Sequence, residues 1–222
     1  MALAPRAADA IAVDRVLEIA GNTQNVDFVN DFFAGKKILI AGSTWPADED
    51  VLLDTFKNKA VSSQLNLVLV PHEISQTHIK QLLEKCGNEA VLFSDFTTSD
   101  LAKNILIIDR IGLLSSLYSK ATFAYIGGGF GKGIHNTLEA AVYGIPVFFG
   151  PNYLKFQEAV DLIENSAAYS CTNSMELEKN ILHLLSDSSK YTSTGNIAAN
   201  YVAVKAGATQ IILNYIKHEL LL

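Results

Sequence analysis

The sequence predicts an α/β fold, a Rossmann-like doubly wound parallel sheet with helices on both faces, and two observations lead to it. Short apolar runs alternate with longer amphipathic ones along most of the 222 residues, a pattern typical of repeated βα units. The apolar runs are nearly continuous in Ile, Leu and Val, as expected for parallel strands that are buried on both faces. With 49% hydrophobic residues, the chain can form a full core.

Seven strands follow from the apolar runs and the residues that end them. They are predicted at 37–41, 67–70, 90–93, 105–108, 123–126, 146–149 and, more weakly, 168–171. Helices are predicted between them at 48–60, 75–85, 113–120, 136–143, 155–164 and 174–186, with a long carboxy-terminal helical stretch from 194. Each helical segment carries apolar residues at the spacing of one helix face.

The first 35 residues do not fit this alternation. Residues 10–20 have helical spacing and a polar stretch follows them, so we predict a linker or packing segment over 1–35 and a nucleotide-binding domain over 36–222. The alanine-rich first nine residues look like an arbitrary start. This favours a fragment of a longer protein.

Composition excludes several functional classes. The net charge of −6 is spread over interspersed acids and bases, which disfavours a nucleic-acid partner. Cys86 and Cys171 lie far apart without metal-ligand spacing, so we expect two free thiols in a reducing compartment. No apolar run approaches the roughly 20 residues of a membrane-spanning helix. The predicted location is cytoplasmic.

The glycine-rich segment from Tyr125 to Pro151 is the strongest functional signal, although it matches neither standard phosphate motif. The dinucleotide fingerprint requires a third glycine where Lys132 or Ile134 stands, and a P-loop requires Ser or Thr where Gly133 stands. The chain also lacks a GxSxG elbow, and its one DxD triplet, Asp48-Glu49-Asp50, is interpreted below as part of a helix start. No catalytic constellation and no metal site are predicted.

What remains is a glycine turn at the end of a strand. Such a turn is either a structural loop or a place where backbone N–H groups approach a phosphate. Asn136 is the predicted N-cap of the following helix, whose positive end would face the turn. Glu139 has two interpretations that stay open: its carboxylate binds a ribose diol, or it completes a capping box with Asn136.

Polar or glycine-containing loops follow other strands as well. Ser43 and Thr44 follow the first strand, Pro71 and His72 the second, and the segment 109–113 the fourth. Ligands bind outside the carboxyl ends of strands in open α/β sheets, so we expect these loops to converge on the glycine turn. The acids at 48–50 are interpreted as helix capping and compensation of the helix dipole.

Taken together, these motifs resemble the carboxy-terminal half of 3-deoxy-D-manno-octulosonic acid (Kdo) transferases. The resemblance covers about residues 36–218. It is carried by AGST at 41–44, VPH at 70–72, DRIGL at 109–113, LY at 117–118, GGG at 127–129, HNTLEAA at 135–141, GIP at 144–146 and FGP at 149–151. The combination of GGG, HNTLEAA and FGP is specific, whereas each motif alone is weak.

The resemblance implies the carboxy-terminal half of an inverting, metal-independent GT-B glycosyltransferase, which needs no cofactor. Such enzymes transfer Kdo from CMP-Kdo to a lipid A precursor in lipopolysaccharide biosynthesis, at the cytoplasmic face of the inner membrane. The implied CMP contacts are Pro71, His72, Ile111, Gly112, Leu113, Asn136, Thr137, Leu138 and Glu139. Further donor contacts are expected from Ser43, Thr44, Arg110, Gly127, Gly128, Gly129 and His135.

Three departures from the family pattern limit what the resemblance implies. Leu113 stands where many relatives have Glu, so only a backbone contact is expected there, and the glycine loop is about one residue shorter. The amino-terminal domain, which carries the general base, the lipid-acceptor surface and the membrane anchor, is absent from this sequence. We therefore expect a domain that binds CMP without turnover. The alternatives are a GT-B domain for a UDP-sugar, of a glycosyltransferase or epimerase, and a non-catalytic nucleotide-binding module.

Overall fold

The computed structural model describes residues 7–33, 36–97, 100, 102–207 and 209–210. These residues form a seven-stranded sheet in the order β3-β4-β2-β1-β5-β6-β7, and every adjacent pair of strands is parallel. The strands are β1 (Lys37–Thr44), β2 (Leu65–Pro71), β3 (Ala90–Leu92), β4 (Ile105–Ile107), β5 (Phe123–Ile126), β6 (Val147–Phe149) and β7 (Ala168–Ser170). The predicted fold class is confirmed.

Helices cover both faces of this sheet. They are α1 (Ala7–Gly21), α2 (Phe28–Phe33), α3 (Pro46–Lys57), α4 (Lys59–Ser62), α5 (Gln76–Cys86), α6 (Leu114–Leu117), α7 (Leu138–Ala141), α8 (Gln157–Glu164), α9 (Ser174–Ser186) and α10 (Ser188–Val204). Short 3₁₀ turns lie at Gly87–Glu89, Phe93–Asp95 and Tyr118–Lys120. Alternate residues of β1 enter different cores: Ile38 and Ile40 pack on one side, and Leu39 and Ala41 on the other.

The first strand is longer than predicted and ends in a bulge. Its pairing with β2 shifts register between Gly42 and Thr44, and Ser43 takes a positive φ of 53° at the shift. A bulge re-aims the residues that follow it. Here the residues after the bulge are those that enter the candidate site.

Some of the predicted helices are wrong in extent. The helix expected over 136–143 is a single turn, α7. It starts late because the Asn136 side-chain oxygen accepts the Leu138 N–H at 3.0 Å, and this local bond replaces the first helical turn. It ends early because Gly144, at φ +66°, reverses the chain after a short 3₁₀-type turn.

The helix expected over 48–60 is divided in two. Asn58 ends α3 in an extended conformation, and its side chain then accepts the Ala60 N–H at 2.8 Å and caps α4. The boundaries of α9, in contrast, agree with the predicted 174–186.

Near the amino terminus, the described part of 1–35 forms α1 and α2. Val13, Val16, Val29 and Phe32 from these helices are buried in one of the two main cores. The segment therefore packs on the sheet, while a domain boundary at residue 35 stays a prediction. Much of the predicted carboxy-terminal helical stretch is α10, and residues 211–222 lie outside the described part of the chain.

The strand order creates a crevice between the carboxyl ends of β1 and β5. From β1 the chain builds β2, β3 and β4 on one side, and it then crosses to place β5 on the other side of β1. The connections leave these two neighbouring strands in opposite directions, which is the arrangement that opens ligand crevices in doubly wound sheets.

A buried carboxylate ties the two sides of this crevice together. Asp48, at the start of α3, is 0% exposed. Its oxygens accept the Trp45 N–H at 3.0 Å, the Gly128 N–H at 2.8 Å and the Tyr125 hydroxyl at 3.0 Å. The loop after β1 and the turn after β5 are therefore held by one side chain.

Replacing Asp48 with Ala should lower the free energy of unfolding by about 3 kcal/mol or more, because buried donors lose their acceptor. Asp50→Ala is a matched control, since Asp50 lies in the same helix but pairs at 2.6 Å with Lys85 at the exposed surface. That control should cost less than about 1 kcal/mol. Urea unfolding followed by circular dichroism measures both, and equal losses would contradict the role given to Asp48.

Gly195 provides a second test of the packing. A methyl group there would lie 2.1 Å from the Gly144 carbonyl oxygen, where α10 crosses the end of the α7 segment. Gly195→Ala should therefore destabilise the fold by about 1–3 kcal/mol, although alanine favours helix formation. Gly21→Ala, also within a helix but with open space around it, should be neutral or stabilising. If both variants were neutral, the close contact of α10 would be wrong.

Candidate functional site

The candidate site lies at the carboxyl ends of the central strands, where the loops after β1, β2, β4 and β5 come together. The loops after β1 and β5 approach through their backbones. A side chain at Gly127 would place its Cβ 2.2 Å from the Ser43 carbonyl oxygen, and one at Gly129 would lie 2.5 Å from the Gly150 nitrogen. Glycine is required at both positions because main chains fill that space.

Three aromatic rings from three different loops stack across the crevice. Trp45 stacks on His72, with ring centroids 4.7 Å apart, and His72 stacks on His135 at 4.5 Å. The indole N–H of Trp45 also donates to Nε2 of His135 at 3.2 Å. The loops after β1, β2 and β5 are thus in direct contact.

A second buried carboxylate supports the first of these loops. Glu49 is 2% exposed, and it accepts the Thr44 hydroxyl at 3.1 Å and Nε2–H of His78 at 2.9 Å. The Thr44 carbonyl accepts the His72 N–H at 2.9 Å. Thr44 therefore joins the β1 and β2 loops, and its side chain is occupied within the protein.

On the other side, Glu139 links the β5 loop to the segment after β4. Its two oxygens accept Nδ2–H of Asn136 at 3.3 Å and the Ser115 hydroxyl at 3.2 Å. The donors are side chains in both cases, so the structure does not form the capping box with the Asn136 backbone. The carboxylate is half-buried and has a fixed direction.

The loop after β4 presents Ile111 and Gly112 to the surface. The Ile111 side chain is 82% exposed, and the Gly112 carbonyl accepts Nε2–H of Gln24 at 3.2 Å. Gly112 has a φ of +91°, a conformation that favours glycine. Arg110, just before them, lies over the Phe93 ring, with its guanidinium carbon 5.3 Å from the centroid.

Five of the predicted donor contacts have buried side chains: Thr44, Pro71, Leu113, Thr137 and Leu138. Leu113 and Leu138 belong to the core, and Thr137 is 0% exposed with no hydrogen-bond partner for its hydroxyl among the described residues. Any ligand contact from the two leucines must therefore use the backbone. The backbone contact expected at Leu113 stays a prediction.

Burial governs the titration of two groups in the crevice. Burial raises the pKa of the Asp48 carboxyl, and its hydrogen bonds to Gly128, Trp45 and Tyr125 oppose the shift. Burial lowers the pKa of His135; His72 lowers it further, whereas Asp48 raises it. His135 is therefore a neutral imidazole at neutral pH.

The structure thus brings together Ser43, Thr44, His72, the glycine turn, His135, Asn136 and Glu139. Sequence reasoning missed Trp45, Ser115 and the cross-crevice role of Asp48. Trp45 did carry a signal, because a tryptophan directly after a strand-end Ser-Thr pair stands among loop residues rather than in an apolar run.

The described residues hold no candidate for a metal centre or for a membrane-spanning helix. They contain no group of three or more His, Cys, Asp or Glu residues that could hold a metal ion. None of the helices in this part of the chain has the length and hydropathy needed to cross a bilayer.

Comparison with known proteins identifies relatives of this chain. No protein-family model matches the chain. It is 29% identical over 170 residues to the 3-deoxy-D-manno-octulosonic acid transferase of Rickettsia felis, covering 74% of this chain and 36% of that protein. It is 32% identical over 153 residues to the transferase of the same name from Aquifex aeolicus, covering 68% and 42%. The chain thus spans only about a third to two fifths of the length of these relatives.

Among solved structures, the fold resembles the carboxy-terminal CMP-Kdo binding domain of WaaA from Acinetobacter baumannii. The TM-score is 0.70 at 19% sequence identity, and the match covers 85% of this chain and 98% of that domain. At this identity the structural likeness concerns the fold, and the sequence matches provide the relationship. The chain is therefore a homologue of the Kdo transferases, with the fold of the carboxy-terminal domain of a GT-B glycosyltransferase.

Proposed function

We propose that this chain is the donor-binding domain of a Kdo transferase and that it binds the CMP part of CMP-Kdo. One observation carries the proposal: the three segments that the family resemblance assigns to CMP meet at one crevice. His72, after β2, stacks on His135, and Ser115, just beyond the Ile111 loop, bonds to Glu139. Kdo transferase relatives and the CMP-Kdo binding domain of the bacterial neighbour support the same donor.

In this proposal the Glu139 carboxylate accepts hydrogen bonds from the two ribose hydroxyl groups. Asn136 and Ser115 already orient its carboxylate, so little side-chain entropy is lost on binding. Backbone groups near Pro71 and along 111–113 select the cytosine. Leu113 contributes only its main chain, because its side chain lies in the core.

In this proposal the phosphate lies at the glycine turn, with Ser43 nearby. Several backbone N–H groups of this turn, however, already have partners within the protein. The Gly128 N–H is bound by Asp48, and those of Gly131 and Gly133 by the Gly128 carbonyl. Since α7 is a single turn, its dipole is weak. More of the phosphate's stabilisation must therefore come from remaining backbone donors and from His135.

Transfer itself is proposed for the whole protein rather than for this chain. The chain covers about a third of its relatives' length, and we assign none of its residues as the general base. We propose that a second domain supplies the base and binds a lipid A precursor at the cytoplasmic face of the inner membrane. The donor domain stabilises the negative charge that CMP gains on leaving.

Calorimetric titration of the purified chain with CMP and with UDP tests the proposed donor. CMP should bind more tightly, because the backbone of the base pocket selects cytosine. Tighter binding of UDP would favour a UDP-sugar enzyme of the same fold. Absence of binding to either nucleotide would favour a non-catalytic module.

The role of Glu139 can be tested by comparing CMP with 2′-deoxy-CMP. Glu139→Ala should weaken CMP binding by about 1–3 kcal/mol and should remove the preference for CMP over the deoxy nucleotide. Glu164→Ala is the control, since Glu164 is exposed at the end of α8, the helix that precedes the edge strand β7. A preference for CMP that survives Glu139→Ala would show that Glu139 does not bind the ribose.

A further inference from the structure

We propose that Trp45 is a positioning residue of the nucleotide site. It fixes His135 as a neutral imidazole with its proton on Nδ1. This N–H then donates a hydrogen bond to an anionic oxygen of CMP-Kdo. The first part concerns the protein alone. The second part rests on the proposed function, because it needs the nucleotide in this crevice.

The tautomer follows from the bond between the two rings. An indole N–H can only donate a hydrogen bond, and the Trp45 N–H points at Nε2 of His135 at 3.2 Å. Nε2 must then be the unprotonated acceptor, so the proton of the neutral ring sits on Nδ1. Burial, which lowers the pKa of His135, acts in the same direction by favouring the neutral ring.

Both rings are held firmly enough for this bond to matter. The backbone N–H of Trp45 is bound to Asp48 at 3.0 Å, and α3 begins at the next residue. His72 packs on both rings, at interplanar angles of 26° to Trp45 and 27° to His135. The ring of His135 therefore has little freedom to turn.

The geometry leaves Nδ1 for a ligand. The Nε2 edge of His135 meets Trp45, and a Cβ added to Gly128 would lie 3.3 Å from Cδ2 of the same ring. Within the described chain, Nδ1 makes no hydrogen bond to another residue. The side chain is half-buried, so part of the ring remains accessible from the crevice. One directed N–H donor is thus free at the crevice. CMP-Kdo offers two groups that could accept this hydrogen bond, its phosphate and the carboxylate of its sugar acid.

The charged or titratable groups that act on His135 are few. His72 lies against its face and makes protonation harder, while Asp48, from the start of α3, makes it easier. Trp45 and Gly127–Gly129 carry no charge. Protonation of His135 removes the acceptor of the Trp45 N–H and so breaks the bond that links the rings.

Acid should therefore release Trp45. The folded protein binds a proton at His135 less readily than the unfolded chain, whose histidine pKa is about 6.5. The free energy of unfolding should thus fall as the pH drops below that value and through the lowered pKa of the folded state. Trp45 is the only tryptophan of the chain, so its fluorescence should change over the same range. An emission that stays constant while circular dichroism shows an intact fold would contradict the bond.

Trp45→Phe tests the tautomer directly, because it keeps an aromatic ring over His72 but removes the N–H. Long-range ¹H–¹⁵N spectra should show only the Nδ1–H form of His135 in the unaltered protein and a mixture of both forms in the variant. If this N–H donates to the phosphate, CMP binding should also weaken about two- to tenfold, as expected for one hydrogen bond. An unchanged tautomer in the variant would overturn the proposal.

A second substitution separates positioning from general stability. His135→Asn puts an amide N–H near the place of Nδ1 without needing Trp45, so adding Trp45→Phe should cause no further loss of CMP affinity. An equal loss in both backgrounds would mean that Trp45 acts only through the fold. Urea unfolding of each variant provides the stability comparison.

Binding measurements with CMP, cytidine and free Kdo distinguish the phosphate from the carboxylate as the acceptor of the His135 N–H. If His135 donates to the phosphate, Trp45→Phe should weaken CMP but leave cytidine unchanged; if it donates to the carboxylate, CMP should be unaffected and free Kdo weakened. A variant that binds all three ligands normally would overturn the ligand half. Failure of the unaltered chain to bind CMP or Kdo would instead refute the proposed function, while the tautomer measurement needs no ligand.

Discussion

The architecture of the crevice depends on one buried carboxylate. Asp48 accepts hydrogen bonds from Trp45 in its own loop, from Tyr125 in β5 and from Gly128 in the turn after β5. The strand order alone therefore does not hold the two sides together. A charge without these donors would be costly at this depth. Because they are present, the Ser43 carbonyl and Gly127 can approach at backbone distance, and Trp45 is directed towards His135. The ring stack and the glycine turn both follow from this arrangement.

The sheet was predictable because each strand is a short run of apolar residues that can be recognised in the sequence. Runs such as ILIA at 38–41 and LVLV at 67–70 permit little other than a buried parallel strand. Helix extents were harder, because they depend on single hydrogen bonds. Asn136 binds the Leu138 N–H and so delays α7, and Asn58 divides α3 from α4. Neither asparagine reveals from sequence which N–H its side chain will choose.

The site was predictable in its loops but not in its contacts. Residues after parallel strands lie at one edge of the sheet, so His72, the glycine turn and Glu139 could be expected near one another. The partners of Asp48 could not, since Gly128 is 80 positions away and a first-turn aspartate already has a local explanation. Trp45 was missed for a related reason: its bond to His135 spans two loops, and only the folded sheet brings them together.

The pairing of β1 with β5 has a kinetic consequence. Leu39 to Gly42 align with Phe123 to Ile126, so the central strand of the sheet joins segments that are far apart in the chain. Contacts of this kind raise the contact order, and the entropy of closing the intervening loop must be lost before they form. The β1–β2 pair is closer in sequence and can assemble earlier. The crevice is therefore expected to form late in folding, when a ribosome has released β5 and its glycine turn.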